Sequence, residues 1–140
     1  MNAFKERSNW ILSSDENEFQ WERFLEVAEA CKERREEEWL RTGVGRAYYA
    51  CFLVARDYEE EFNDDRRPQL SHPKVWDFFS SKCGRVGKQI YVLGDRLKRE
   101  RHNADYSRNS KKWNSVLEKC IDDSKEVITL VDGLRQKKAQ

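Results

Sequence analysis

From Trp113 to Leu134, apolar or small residues recur every three or four positions: Trp113, Val116, Leu117, Cys120, Ser124, Val127, Ile128, Val131 and Leu134. That spacing puts them on one stripe of an α-helix and scatters them over both faces of any strand, so the segment reads as a core helix that needs helical partners. Three more stretches keep the same period. Trp21, Phe24, Leu25, Ala28 and Cys31 form one; Leu40, Val44, Ala47, Tyr48, Cys51, Val54, Ala55 and Tyr58 form a longer one; Val86, Ile90, Leu93 and Leu97 form the next. Between the last two, Ser71-His72-Pro73 can start a short helix with proline in its first turn, carrying Val75, Trp76, Phe78 and Phe79 into the core. The pattern predicts an all-α, up-and-down helical bundle of four main helices plus one short extra helix. With 140 residues, 38% hydrophobic and 38% charged, there is material for one domain over residues 1–140 and one core with long solvated faces.

The punctuation is sparse, as 6 Gly and 2 Pro allow. Ser13-Ser14-Asp15 is a candidate cap for the first helix, with acidic residues behind it where a helix N-terminus favours them. The run KERREEE reads as a solvated helix end or connection, and Gly43 and Gly45 as a place for close packing or a bend. EFNDDRRPQL, polar and without an apolar period, is the main loop, and Gly84 and Gly87 punctuate the end of the short helix. The first ~15 residues and the basic last ~5 are expected to fray.

Twenty-seven Lys and Arg against 26 Asp and Glu leave a net charge of +1, so any attraction to nucleic acid must be local. No apolar run approaches the ~20 residues of a membrane span, and the opening MNAFKERSNW lacks the apolar core of a signal peptide. A cytoplasmic protein with no membrane contact is the expectation. Cys31, Cys51, Cys83 and Cys120 contain no CxxC pair, so neither a metal site nor a redox motif is written in them, and three of the four fall on apolar stripes as small hydrophobes. No metal and no cofactor are expected.

One segment carries varied polar chemistry. Asp95-Arg96-Leu97-Lys98-Arg99-Glu100-Arg101-His102-Asn103-Ala104-Asp105-Tyr106 packs cations, a histidine and a tyrosine into one helix end. At about 100° per residue, Arg101 continues the apolar stripe and needs a partner such as Asp105 or a tyrosine hydroxyl, while Arg96, Arg99, His102 and Asn103 share the opposite face. That patch offers positive charge and an imidazole that exchanges protons near neutral pH, the chemistry an RNA phosphodiester requires. It is equally the composition of a solvated helix end. Tyr48 and Tyr49 with Arg46 could line a groove, although Tyr48 falls on the packing stripe, and Arg46 is a candidate partner for Asp105. His72, before a proline at a helix start, reads as a cap or surface contact. Five Trp and seven Phe exceed what so small a core must absorb, which points to aromatic surface at a partner interface.

GRAYYACFLVARDY resembles the second-helix signature of HEPN domains, in which an arginine precedes an Ala-Tyr-Tyr-Ala core. Ser71-His72-Pro73-Lys74-Val75 followed by Phe78-Phe79 is similar to that family's short segment of a histidine and an apolar pair. RHNADY resembles its Arg-x-x-Ala-Asp-Tyr ending, and the three segments follow in the family's order over roughly residues 18 to 135. The resemblance implies a metal-independent endoribonuclease that acts on RNA as a toxin or antiviral defence effector. It implies Arg96 and His102, with five residues between them, as the catalytic pair, and Arg99, Arg101, Asn103, Tyr106 and Arg46 as substrate contacts. It further implies a homodimer in which the Arg and His of both protomers line one cleft, and an antitoxin as a partner. The alternative within the same fold is a non-catalytic HEPN module that binds nucleotide or a partner subunit such as a nucleotidyltransferase. A third reading is a purely structural assembly subunit.

Overall fold

The structure, a computed structural model, describes residues 17–63 and 72–139. Among the described residues a 3₁₀ turn, Trp21–Arg23, leads into five helices: α1 Phe24–Arg34, α2 Glu37–Asn63, α3 His72–Lys82, α4 Gly84–Tyr106 and α5 Trp113–Ala139. Among the described residues there is no strand, and the helices pack as one all-α bundle. Long α2 is its central member, packed against the other four.

The apolar stripes become the core. Ala28 and Cys31 of α1, Val44, Ala47 and Tyr48 of α2, Trp76 and Phe79 of α3, Ile90 and Leu97 of α4, and Leu117, Val127 and Ile128 of α5 are all buried. Two bare backbones set how closely helices approach. At Gly43 a methyl group would lie 2.8 Å from the Leu117 side chain and 2.9 Å from Cys31 Cβ, so this glycine is where α1, α2 and α5 meet. At Gly94 it would lie 2.3 Å from the Trp76 indole, which is how α3 docks on α4. Ser124, on the α5 stripe, donates its buried hydroxyl to the Ala47 carbonyl at 2.7 Å, so the polar member of that stripe is satisfied by α2.

The five helices of the expected bundle are all present among the described residues, and they differ in length. Three are long, and α1 and α3 have 11 residues each. Arg35, inside KERREEE, takes a left-handed conformation with φ 69°, which stops α1 after Arg34 and lets α2 begin two residues later. Gly84 likewise turns the chain at φ +65° between α3 and α4, whereas Gly87 lies inside α4. α2 continues through Glu61–Asn63 into the expected loop, whose remainder lies outside the described residues, as does the candidate cap at Ser13-Ser14-Asp15. The basic C-terminal segment is helical as far as Ala139.

The α4–α5 connection is fastened by one residue that no periodicity or motif singles out. Arg41 of α2 donates to the carbonyls of Ala104, Ser107 and Asn109, pairs with Glu37 and lies over the Trp113 ring at 4.7 Å. It supplies acceptor-rich chain at the end of α4 with the donors that the helix itself lacks there. The segment carrying the polar cluster is therefore held against the bundle as far as the start of α5.

Candidate functional site

α4 distributes the polar cluster over three surfaces. Residues seven apart on a helix nearly eclipse, while residues six apart lie about 120° apart. Arg96 and Asn103 accordingly face α5, where they line a groove of about 530 Å³ with Arg99 and Glu100 and with Val116, Lys119, Cys120 and Asp123 of α5. His102 is not among the groove's lining residues. It is exposed on the outer side of α4, its ring 4.9 Å from that of Tyr106. The expected shared face of Arg96, Arg99, His102 and Asn103 thus divides: Arg96, Arg99 and Asn103 belong to the groove, and His102 to the adjoining outer ridge.

Arg96 is held rather than free. Its Nε and Nη2 both donate to Asp123 Oδ2, at 3.1 and 2.9 Å, and the Asp123 side chain is only 10% exposed against 41% for Arg96. A buried carboxylate needs such a partner, and the pairing fixes the guanidinium plane while leaving the Nη1 edge outside the bond. Asp123 gave no signal in the sequence beyond a charge next to Ser124, because its significance depends on α5 lying beside α4. Arg99, 69% exposed, pairs along its own helix with Asp95 at 3.1 Å, and Lys111 reaches Glu100 at 3.1 Å across the α4–α5 connection. These surface pairs hold side chains loosely in place and add little stability.

Arg101 takes the inward surface, as its place on the stripe requires. It pairs with Asp105 at 3.4 Å and lies over the rings of Tyr48 and Tyr49, 5.7 and 5.8 Å from their centroids. The partner foreseen for Asp105 among two arginines is therefore Arg101, whereas Arg46 rests over Phe24 and Tyr49 at 4.8 and 5.3 Å. Arg46 and Arg101 are on the aromatic side of α2, away from the α4–α5 groove.

A second cluster forms around His72. The Tyr48 hydroxyl lies 3.0 Å from His72 Nδ1 and accepts a hydrogen bond from Trp76 Nε1 at 3.2 Å, and the imidazole stacks on Phe52 with centroids 4.0 Å apart. Burial, then the charges of Arg101, Lys98 and Arg56, hold the His72 pKa below its ordinary value. Burial raises the Tyr48 hydroxyl well above the usual phenol range and lifts the thiols of Cys51 and Cys120 to about 12, so both cysteines stay protonated and inert. His72 is more than the surface cap its sequence position suggested. Because folding suppresses its protonation, the unfolded chain takes up more protons as pH falls through the ordinary histidine range. Stability contributed by neutral His72 is complete above about pH 6.5 and is lost on acidification below it. The thermal midpoint should therefore fall between pH 7.5 and 5.5, and His72→Asn should flatten that slope; an unchanged slope would contradict this placement of the ring.

Among the described residues no helix is long and apolar enough to cross a membrane. Comparison of the chain with family models, with curated proteins and with solved structures finds no match.

Proposed function

We propose that the protein is a metal-independent endoribonuclease of the HEPN type, in which Arg96 and His102 act on the RNA backbone. The observation that carries this reading is the exposed His102 imidazole on an α4 ridge that adjoins a groove lined with Arg96, Arg99 and Lys119. His102 takes the proton of a ribose 2′-hydroxyl, the 2′-oxygen attacks the adjacent phosphorus, and the 5′-oxygen leaves with a proton returned by the imidazolium. The Nη1 edge of Arg96 braces the charge that gathers on the phosphorane-like transition state, and Asp123 acts as its positioning residue. Arg99, Asn103 and Tyr106 contact the flanking chain. Arg101 and Arg46 serve this site from behind, as packing for the helices that carry it.

His102 and Arg96 point to different sides of α4, so a working pair calls for a second protomer. Val92, 56% exposed, and Tyr106, 70% exposed, end a line along the rim of the groove with Arg99 midway, seven residues from each. Apolar ends on an otherwise charged line suit a two-fold contact along α4, in which the Arg and His of both protomers share one cleft. A toxin or defence role, with an antitoxin to restrain it, follows from the HEPN resemblance. The non-catalytic module remains the second reading, favoured by the engagement of Arg96 with Asp123, which gives that arginine a structural occupation.

Light scattering at micromolar concentration should give twice the monomer mass. Mixing inactive Arg96→Ala with inactive His102→Ala should restore part of the cleavage rate, since a mixed dimer retains one arginine and one histidine in the shared cleft. A monomer, or mixtures as inactive as their components, would overturn the composite cleft.

A further inference from the structure

The contact of Trp76 with Gly94 fixes where α3 lies along α4, and one to two turns further on it brings His72 of α3 to Lys98 and Arg101 of α4. α2 supplies the wall behind them, with Phe52 stacked on His72, the Tyr48 hydroxyl on His72 Nδ1, and Tyr48 and Tyr49 under the Arg101 guanidinium. Arg56, two turns beyond Tyr48 on α2, adds a third charge that acts on the imidazole. Three cations thus bear on one half-buried ring.

Their carboxylate partners offset them weakly. Arg101 reaches Asp105 at 3.4 Å, Lys98 reaches Asp95 at 3.7 Å, and Arg56 reaches Asp57 and Glu60 at 3.6 and 3.8 Å. All are longer than the roughly 2.7–2.9 Å of a charge-assisted hydrogen bond. The Nε atoms of Arg101 and Arg56 are buried and have no hydrogen-bond partner among the described residues. Cations that lack short acceptors among the described residues, backed on one side by aromatic rings, are complementary to a small anion of high charge.

We propose that His72, Lys98 and Arg101 form a binding site for a phosphate dianion, free or as a monoester, separate from the α4–α5 groove. A dianion answers more of the converging charge than the single negative charge of a phosphodiester, so the site prefers a terminal phosphate to an RNA backbone. Its arrival also reverses the field that now disfavours the imidazolium, and draws a proton onto His72, whose other neighbours among the described residues include Tyr48, Tyr49 and Phe52 of α2.

The test is a titration of the ¹⁵N-labelled protein followed at the imidazole signals, at constant ionic strength and pH. Inorganic phosphate and ribose 5-phosphate should shift the His72 signals saturably toward the protonated form; the dinucleotide UpU should bind at least about tenfold more weakly, and chloride should do nothing saturable. Lys98→Gln, a change at a partly exposed side chain that leaves the core intact, should weaken phosphate about tenfold, the scale of one hydrogen bond to a charged group. His102→Ala should leave the affinity unchanged, so the result stands apart from the ribonuclease reading. Equal shifts with chloride, UpU binding as tightly as phosphate, full affinity in Lys98→Gln, or affinity lost in His102→Ala would each overturn the site.

Discussion

Replacing His102 with Ala is expected to leave the bundle intact and to lower RNA cleavage by on the order of 10²-fold or more, the scale of losing one general acid–base group. The ring is exposed and its contact is with the equally exposed Tyr106, so little packing is lost with it. Arg96→Ala should reduce the rate on a similar scale, by removing the charge that braces the phosphate. Unlike His102→Ala it should also destabilise the fold, because Asp123 would keep a nearly buried carboxylate without the arginine that compensates it. Rates measured with matched folded fractions separate the two effects. A His102→Ala protein that cleaves as fast as the parent would remove the imidazole from the reaction.

Truncating Trp76 to Ala should cost about 3–5 kcal/mol, the range for emptying a large aromatic site. Trp76 is 1% exposed, fills the space left by Gly94, and donates its indole N–H to Tyr48. Against a total of about 5–15 kcal/mol for a domain of this kind, the variant should be close to unfolded at moderate temperature. Gly94→Ala attacks the same contact from the other side and should cost about 1–3 kcal/mol, since the ring 2.3 Å from the new methyl group is enclosed and cannot withdraw. Urea titrations give both numbers. A loss below about 1 kcal/mol for Trp76→Ala would mean that α3 does not dock on α4 through this pair.

Much of the bundle could be read from the chain because burial on a helix leaves a period of three and four in the residues themselves. The stripes of α2, α4 and α5 and the pair Trp76 and Phe79 of α3 are core in the structure. What the period does not encode is a single backbone dihedral, so the left-handed Arg35 that shortens α1 within a charged run left no trace in the hydrophobic pattern. The candidate site was legible as a list but not as an arrangement. One helix's rotation correctly turned Arg101 inward toward Asp105, yet six residues of rotation separate Arg96 from His102, and Arg96 faces α5. Asp123, Lys119 and the His72 cluster all owe their places to contacts between helices far apart in sequence, which no local spacing reveals.

Incubating the purified protein with end-labelled RNAs of varied sequence, with magnesium and with excess chelator, tests metal-independent cleavage directly. A metal-independent endoribonuclease should give cleavage that persists in chelator and leaves 2′,3′-cyclic phosphate or 3′-phosphate ends opposite 5′-hydroxyl ends. RNAs left intact under both conditions, or cleavage that stops when the divalent ion is removed, would contradict it.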